Sequence, residues 1–300
     1  MQQTRAPAVL AAPWGWEILG LGMGDESQER AAKHSLRATR DFWNAHPCDG
    51  QDQHAQRQKL RYGKEPWVFE KVQQVARRHA DIVEIGCGQG TDAITMCTLL
   101  PASGSYLGID LSEASLAAAR SAVEEVRERL QVIPRFQQGN AENLPFEDSS
   151  LECVYSMGVL HHTPDTEKAI NEIHRTLRPG GRAYLFLYRR WGPKVLAAHL
   201  LRFVQRQIGR LIPGEPIFFR MARGFPNQKA LGTVLLEGTG VPILKSYTRR
   251  GIEKLLQDFD ICRLEKFGLG LPTAGMNTAL DRLQKNPLGY FWYIEIAKPE

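Results

Sequence analysis

The stretch DIVEIGCGQG, residues 81–90, constrains the fold more than any other part of this chain. A short apolar run leads there into an acid and three glycines at alternating positions, namely Glu84, Gly86, Gly88 and Gly90. Only glycine lets a backbone turn sharply, adopt positive φ and approach a ligand without a Cβ in the way. The stretch therefore predicts a strand, a tight loop and the start of a helix around a nucleoside-bearing cofactor.

The spacing of these glycines indicates which cofactor is favoured. A dinucleotide fingerprint needs G-x-G-x-x-G, but Thr91 occupies the position of its third glycine. Glu84 would repel a pyrophosphate, whereas it suits a ligand with an ammonium or sulfonium group. Asp110 lies 20 residues beyond Gly90, at the end of a second apolar run, where it can accept both ribose hydroxyls. The pattern disfavours NAD and favours a cationic nucleoside.

Three further motifs follow in order: GNAENLPF at 139–146, CVYSMGVLHHTPD at 153–165 and LRPGG at 177–181. With the glycine loop and Asp110, they resemble the class I S-adenosylmethionine (SAM)-dependent methyltransferases, in the ubiquinone/menaquinone-type and sterol-type branch. The resemblance covers about residues 81–188 and is loose outside them. It implies SAM as the cofactor and an α/β, Rossmann-like fold of seven strands, the last of them antiparallel.

The resemblance also implies roles for individual residues. Glu84 and Gly86 would face the methionine moiety, Asp110 the ribose and Leu111 the adenine. Asn140 stands where the family usually has aspartate, so the acceptor for the adenine amine is either the Asn140 carbonyl or Glu142, unless both only shape a turn. The expected cofactor-binding set is Glu84, Gly86, Cys87, Gly88, Gly90, Asp110, Leu111, Asn140, Ala141, Glu142 and Met157.

Methyl transfer mainly requires an aligned nucleophile, and a base is needed when the acceptor is a hydroxyl or an acidic carbon. His161 and His162 follow the fourth predicted strand, at the sheet edge where ligands bind in open α/β folds. We expect one of them to face inward as the catalytic base and the other to pack or cap. A structural role for both is the alternative.

Aromatic residues before the glycine loop are candidates for the acceptor pocket. Trp43 and His46 come at the end of a predicted helix and either form a pocket wall or pack the helix terminus. Tyr62 and Trp67 are open to the same two interpretations, with core packing favoured. The expected substrate-binding set is Trp43, His46, Tyr62 and Tyr188.

Strands and helices alternate from Asp81 onward, which predicts a parallel sheet wrapped on both faces. We divide the chain into an N-terminal helical cap (1–80), a SAM-binding core (81–189), an inserted lid or substrate segment (190–246) and a C-terminal part of the core (247–300). The cap contains predicted helices at 28–45 and near 65–79. The remaining predicted helices span 91–100 and 248–257. One more is capped by Ser112 and carries an apolar stripe to Leu130, and another starts at Thr163 and Pro164 and is stopped by residues 178–181.

The insertion begins WGPKVLAAHLLRFVQRQIGRLI, residues 191–212, in which arginines recur every four residues between apolar positions. This pattern predicts a basic amphipathic helix. Such a helix can touch a membrane surface, cover a lipophilic substrate or pack on its own domain.

Composition excludes several classes of function. The formal net charge of +5 comes without a dense basic block, which disfavours nucleic acid as a partner. The five cysteines have no metal-ligand spacing, so no metal site is expected, and they suit a cytoplasmic protein with reduced thiols. No apolar run is long enough to span a bilayer, although peripheral contact stays open. The sequence does not indicate an oligomeric state.

The functional expectation is a methyltransferase that acts on a small or medium organic acceptor, which is specialised or lipophilic. One alternative keeps the SAM pocket for other chemistry such as cyclisation. Another is a non-catalytic protein that binds SAM and activates a partner.

Overall fold

A computed structural model describes residues 25–47, 53–211, 240–268 and 286–300 of the chain, with only the backbone described at 25–34 and 210–211. The helices are α1 (Asp25–Ala45), α2 (His54–Lys64), α3 (Pro66–Arg78), α4 (Thr91–Cys97), α5 (Glu113–Val126), α6 (Thr166–Thr176), α7 (Pro193–Leu211) and α8 (Arg249–Leu255). The strands are β1 (Asp81–Ile85), β2 (Ser105–Asp110), β3 (Arg135–Gln138), β4 (Leu151–Met157), β5 (Leu177–Tyr188), β6 (Asp260–Phe267) and β7 (Phe291–Ala297).

The strands form one seven-stranded sheet in the order β3-β2-β1-β4-β5-β7-β6. Strands β1 to β5 pair in parallel, whereas β7 runs antiparallel to both β5 and β6. The predicted Rossmann-like α/β fold with an antiparallel last strand is thereby confirmed. The carboxyl ends of β1, β2 and β4 meet at one edge, and this edge carries the predicted motifs.

The central strands read as near-continuous apolar runs because helices cover the sheet on both faces. On one face, buried aromatic rings such as Tyr155 and Phe186 pack beneath α3. Trp67 of α3 is 3% exposed and stacks on Phe267 with ring centroids 5.0 Å apart, so it is a core residue. On the other face, Leu185 of β5 packs in one aliphatic cluster with Ile170 of α6 and Ile252 of α8.

Several element boundaries differ from those predicted. Helix α6 starts at Thr166 rather than at Thr163 and Pro164, because a 3-10 turn at Leu160–His162 comes first and Asp165 caps the helix through Lys168 N at 3.0 Å. Residues 178–181 were predicted to stop this helix, but they already belong to a strand. Strand β5 begins at Leu177, which pairs with Leu151 of β4.

The N-terminal part and the insertion are described in pieces. Helices α1 and α3 correspond to the predicted 28–45 and 65–79 helices, and α2 was not predicted. Helix α4 ends at Cys97 instead of continuing to residue 100, because Leu99 and Leu100 both turn back to the carbonyl of Met96. The four-part division of the chain remains a prediction, and residues 1–24, 48–52, 212–239 and 269–285 lie outside the described residues. None of the described helices is both long and apolar enough to cross a membrane.

Candidate cofactor and acceptor site

A cleft of about 1000 Å³, including the space at its open mouth, lies at the carboxyl ends of β1, β2 and β4 and is covered on one side by α1. The predicted site residues that line it are Trp43, Glu84, Gly86, Cys87, Gly88, Asp110, Leu111, Asn140, Ala141, Met157 and His162. The predicted residues that do not line it are His46, Tyr62, Gly90, Glu142, His161 and Tyr188. Most of the expected cofactor-binding set therefore faces one space.

The three glycines of the loop after β1 differ in what surrounds them and therefore in their structural roles. All three have positive φ, at 78° for Gly86, 51° for Gly88 and 74° for Gly90. A Cβ on Gly86 would collide with the side chain of Val159, whereas a Cβ on Gly88 would meet nothing within 4 Å. A Cβ on Gly90 would lie 3.1 Å from Ala119 of α5. Gly86 and Gly90 therefore allow close packing, and Gly88 leaves room for a ligand.

Glu84 is a buried acid at the end of β1. Its carboxylate is 2% exposed and accepts a hydrogen bond from the Tyr106 hydroxyl. Burial, helped by the negative charge of Asp92, raises the pKa of Glu84 from 4.5 to about 8. A cationic group in the cleft would offset this desolvation of the carboxylate. The site thus fits the cationic amino-acid end of SAM.

Asp110 ends β2 and joins the two loops of the site. Its Oδ2 accepts a hydrogen bond from Gly88 N and its Oδ1 one from Ser112 N, both at 2.8 Å. Burial raises the pKa of Asp110, while these backbone N–H groups oppose that rise. Each carboxylate oxygen can accept more than one hydrogen bond, so Asp110 can also accept ribose hydroxyls.

Asn140 and Glu142 follow β3 in a tight turn. Asn140 Oδ1 accepts a hydrogen bond from Glu142 N at 3.0 Å, and Asn140 lines the cleft. The Glu142 carboxylate instead accepts a hydrogen bond from Asp165 N at 2.7 Å, at the start of α6. The structure therefore brings Asn140 to the cleft, whereas Glu142 joins the turn to α6.

The two adjacent histidines lie in different surroundings. His162 lines the cleft, and its Nδ1 is 2.7 Å from the Ile243 carbonyl, so in the neutral ring Nδ1 carries the proton and Nε2 is the acceptor nitrogen. His161 is fully buried and stacks on Tyr188 at 3.9 Å. Burial lowers the pKa of His161 well below 6.5. His161 is thus held neutral away from the cleft.

Helix α1 forms one wall of the cleft. Trp43 contacts His162 edge to face with ring centroids 5.7 Å apart. One residue on, Asn44 Oδ1 accepts a hydrogen bond from Ser112 Oγ at 2.9 Å and so ties α1 to the start of α5. His46 stacks on Phe42 at the end of α1, outside the lining of the cleft.

One polar cluster in the cleft was missed by sequence reasoning. Asp92 receives two hydrogen bonds from the Arg61 guanidinium, at 2.8 and 2.7 Å, and one from each hydroxyl of Tyr62 and Tyr155, at 2.9 Å. Arg61 and Asp92 both line the cleft, and Tyr62 supports them from behind. Asp92 is detectable as an acid in the first turn after the glycine loop, but Arg61 and Asn44 carry no local signal.

Comparisons with known proteins agree with this geometry. The family model "Methyltransferase domain" matches residues 83–185. The phthiotriol/phenolphthiotriol dimycocerosates methyltransferase of Mycobacterium tuberculosis is 34% identical over 42% of this chain and 47% of its own length. The demethylmenaquinone methyltransferase of Lactiplantibacillus plantarum is 33% identical over 35% of this chain and 43% of its own length.

The chain thus spans less than half of each of these curated relatives. Among solved structures, a chain of the complex that contains the Trm112 methyltransferase activator of Haloferax volcanii aligns with a TM-score of 0.53 at 16% identity, over 87% of this chain and 98% of that chain. This likeness shows the fold. Residues 83–185 are thus similar to a methyltransferase domain, and both curated relatives that match this part of the chain are methyltransferases by name.

Proposed function

We propose that the protein transfers a methyl group from SAM to a lipophilic small molecule, with His162 as the general base. The observation that carries this proposal is the shared cleft, in which His162 and Trp43 face the same space as Glu84 and Asp110. A base and two acids suited to the cofactor are therefore within one enclosure.

The chain's own residues hold the cofactor and keep water out. SAM, when bound, supplies a methyl group activated by a sulfonium centre. Ionised Glu84 binds the cationic amino-acid end, Asp110 binds the ribose, and Gly88 leaves the space that a Cβ would fill. Alignment of the acceptor in such an enclosure is worth roughly 7 to 11 kcal/mol.

His162 removes the proton from the acceptor. The hydrogen bond from its Nδ1 to the Ile243 carbonyl sets the tautomer, so Nε2 takes up a proton from a hydroxyl or an acidic carbon. Trp43 packs against the ring and restricts its rotation. The buried neighbour His161 supports the position of Tyr188 and does not handle the proton.

The acceptor class is inferred from the walls of the cleft. Leu36 and Trp43 of α1, with Val159 after β4, give the acceptor side an apolar surface. By name, the two relatives described above are methyltransferases for demethylmenaquinone and for phthiotriol/phenolphthiotriol dimycocerosates. The apolar lining of the cleft and the names of these relatives both favour an apolar acceptor with one hydroxyl or acidic carbon.

The test measures formation of S-adenosylhomocysteine by the full chain with SAM and a panel of phenols, quinols and aliphatic alcohols, each with and without an alkyl chain. We expect turnover with alkylated members, and a loss of about 10² to 10⁴ in kcat for His162→Gln with SAM affinity unchanged. His174→Gln, in α6 outside the cleft, is the matched control. Tight SAM binding without product on any acceptor would reject methyl transfer, and full activity of His162→Gln would reject the base.

A further inference from the structure

Helix α7 presents an apolar surface to solvent. Leu196, Leu200 and Phe203 are 44, 63 and 57% exposed and lie four and three residues apart, on one side of the helix. Trp191, just before the helix, is 61% exposed. These are four of the seven exposed large apolar side chains in the described part of the chain, so the exposure is concentrated in this α7 apolar face.

A neighbouring side of α7 is fixed to the body of the protein. Val195 is buried, and the Arg202 guanidinium donates to the carbonyls of Val241 and Pro242 at 2.8 and 3.1 Å. His199 Nε2 lies 3.1 Å from Ser246 Oγ. The helix therefore holds a half-buried arginine against the protein while it exposes leucine and phenylalanine, the reverse of what water favours. These contacts fix the rotation of the helix that turns the apolar face outward.

The charged residues of this segment of the chain are all basic. Residues 190–211 contain Arg190, Lys194, Arg202, Arg206 and Arg210 and no aspartate or glutamate. Arg190 and Arg206 are exposed beside the apolar face. Apolar and Trp side chains flanked by cations without acids are typical of helices that lie in the plane of an anionic membrane surface. The charge complements anionic lipid headgroups.

We propose that the α7 apolar face docks on the surface of a bilayer that contains anionic lipids. The same helix holds residues 241–242 through Arg202, and the next residue, Ile243, holds His162. The docking face and the site thus share one short segment. The docking itself does not depend on the proposed function; only the delivery of a lipophilic acceptor from the bilayer rests on it.

The test is co-sedimentation of the full chain with vesicles of phosphatidylcholine alone and of phosphatidylcholine mixed with phosphatidylglycerol. We expect binding to the mixed vesicles, and a loss on the order of tenfold or more for the double variant Leu200→Gln, Phe203→Gln. Ile133→Gln, which changes an exposed apolar side chain elsewhere, should bind like the unmodified protein. Arg206→Gln should weaken binding to the mixed vesicles only.

Three results would overturn the docking proposal: no sedimentation of the unmodified protein with mixed vesicles, equal sedimentation of the double variant, or a lipid-free dimer that the double variant dissociates. The last result would assign the face to a second copy of the chain. SAM affinity measured by calorimetry on each sample reports whether the variant is folded. If the double variant does not fold, Trp191→Gln tests the same face, because Trp191 lies just before the helix. Product formation is not part of this readout, so failure of the proposed function leaves the docking result intact.

Discussion

The two walls of the cleft are built in different ways. The cofactor wall is made of two short loops, after β1 and β2, which bond to each other through Gly88 N and Asp110 at 2.8 Å. The acceptor wall joins distant pieces: Asn44 reaches Ser112, 68 residues away, and His162 reaches Ile243, 81 residues away. The wall that we propose for the cofactor thus depends on a local loop motif, whereas the wall that we propose for the acceptor depends on how α1 and the segment before α8 pack. We expect substitutions in the two walls to have separable effects.

The largest expected effect is within the cofactor wall. Gly86→Ala should unfold the loop, because the new Cβ collides with Val159 and φ is 78°. Gly88→Ala meets no protein atom within 4 Å, so it should cost only about 1 to 2 kcal/mol of unfolding free energy from its positive φ, while SAM binding is lost. Thermal unfolding and SAM calorimetry of both variants check this, and a Gly88→Ala protein with normal SAM affinity would contradict it.

The next largest effects come from one substitution in each wall, Asp110→Ala and His162→Ala. Asp110→Ala should lower SAM affinity about 100-fold, since hydrogen bonds to a charged group are each worth about 1.5 to 3 kcal/mol. His162→Ala should lower kcat and leave SAM affinity within about twofold. Calorimetry and single-turnover kinetics measure the two quantities. Asp258→Ala, an exposed acid, serves as the control, and unchanged SAM affinity in Asp110→Ala would remove the ribose assignment.

The same contrast explains what the sequence could predict. The alternation of strands and helices and the glycine loop follow from local signals, as does the Ser112 cap of α5, which accepts a hydrogen bond from Ser115 N at 3.1 Å. The antiparallel last strand was implied only by the family resemblance. Periodicity also located α7, but not which side of it faces outward. Arg202 decides that by bonding to two carbonyls about 40 residues away.

The site shows the same limit. Glu84 lies two residues before Gly86, and Asp110 ends the next predicted strand, so their places at neighbouring strand ends predicted a shared cleft. The pairing of Arg61 with Asp92 depends on how α2 packs on α4, 31 residues away, and periodicity contains no such information. The His161–His162 doublet is likewise symmetric in sequence, and only the course of residues 241–243 decides which ring lines the cleft.

A smaller, graded effect is the pH dependence of SAM binding. The raised pKa of Glu84, about 8, means that the free protein holds this carboxyl protonated at pH 7, whereas the cationic ligand binds its ionised form. SAM affinity should therefore fall up to about tenfold for each pH unit below about 8, and binding should release a proton. Calorimetry in buffers of different ionisation enthalpy measures the proton, and a pH-independent affinity would contradict the assignment.

The Glu84 carboxyl also predicts how the stability of the SAM-free protein depends on pH, with a trend opposite to that of SAM affinity. A carboxyl whose folded-state pKa is raised stabilises the fold fully below its unfolded pKa of 4.5, and this contribution is lost as the pH rises through about 8. Glu84→Gln should therefore raise the melting temperature of the SAM-free protein at alkaline pH while it weakens SAM binding. Gln has no charge to desolvate and can still accept the Tyr106 hydrogen bond. A lower melting temperature for Glu84→Gln above pH 8 would show that burial of the charge is not the dominant cost.

The smallest expected effect lies in the acceptor wall. Asn44→Ala removes the acceptor for Ser112 Oγ and Ala114 N, so the end of α1 should lose about 1 kcal/mol of docking free energy. Because Trp43 is the preceding residue, the KM for the acceptor should rise about fivefold, while SAM affinity stays within about twofold. Arg37→Ala, exposed on the same helix, is the control. An equal rise in the SAM dissociation constant would show that the walls are coupled and that α1 closes over both ligands together.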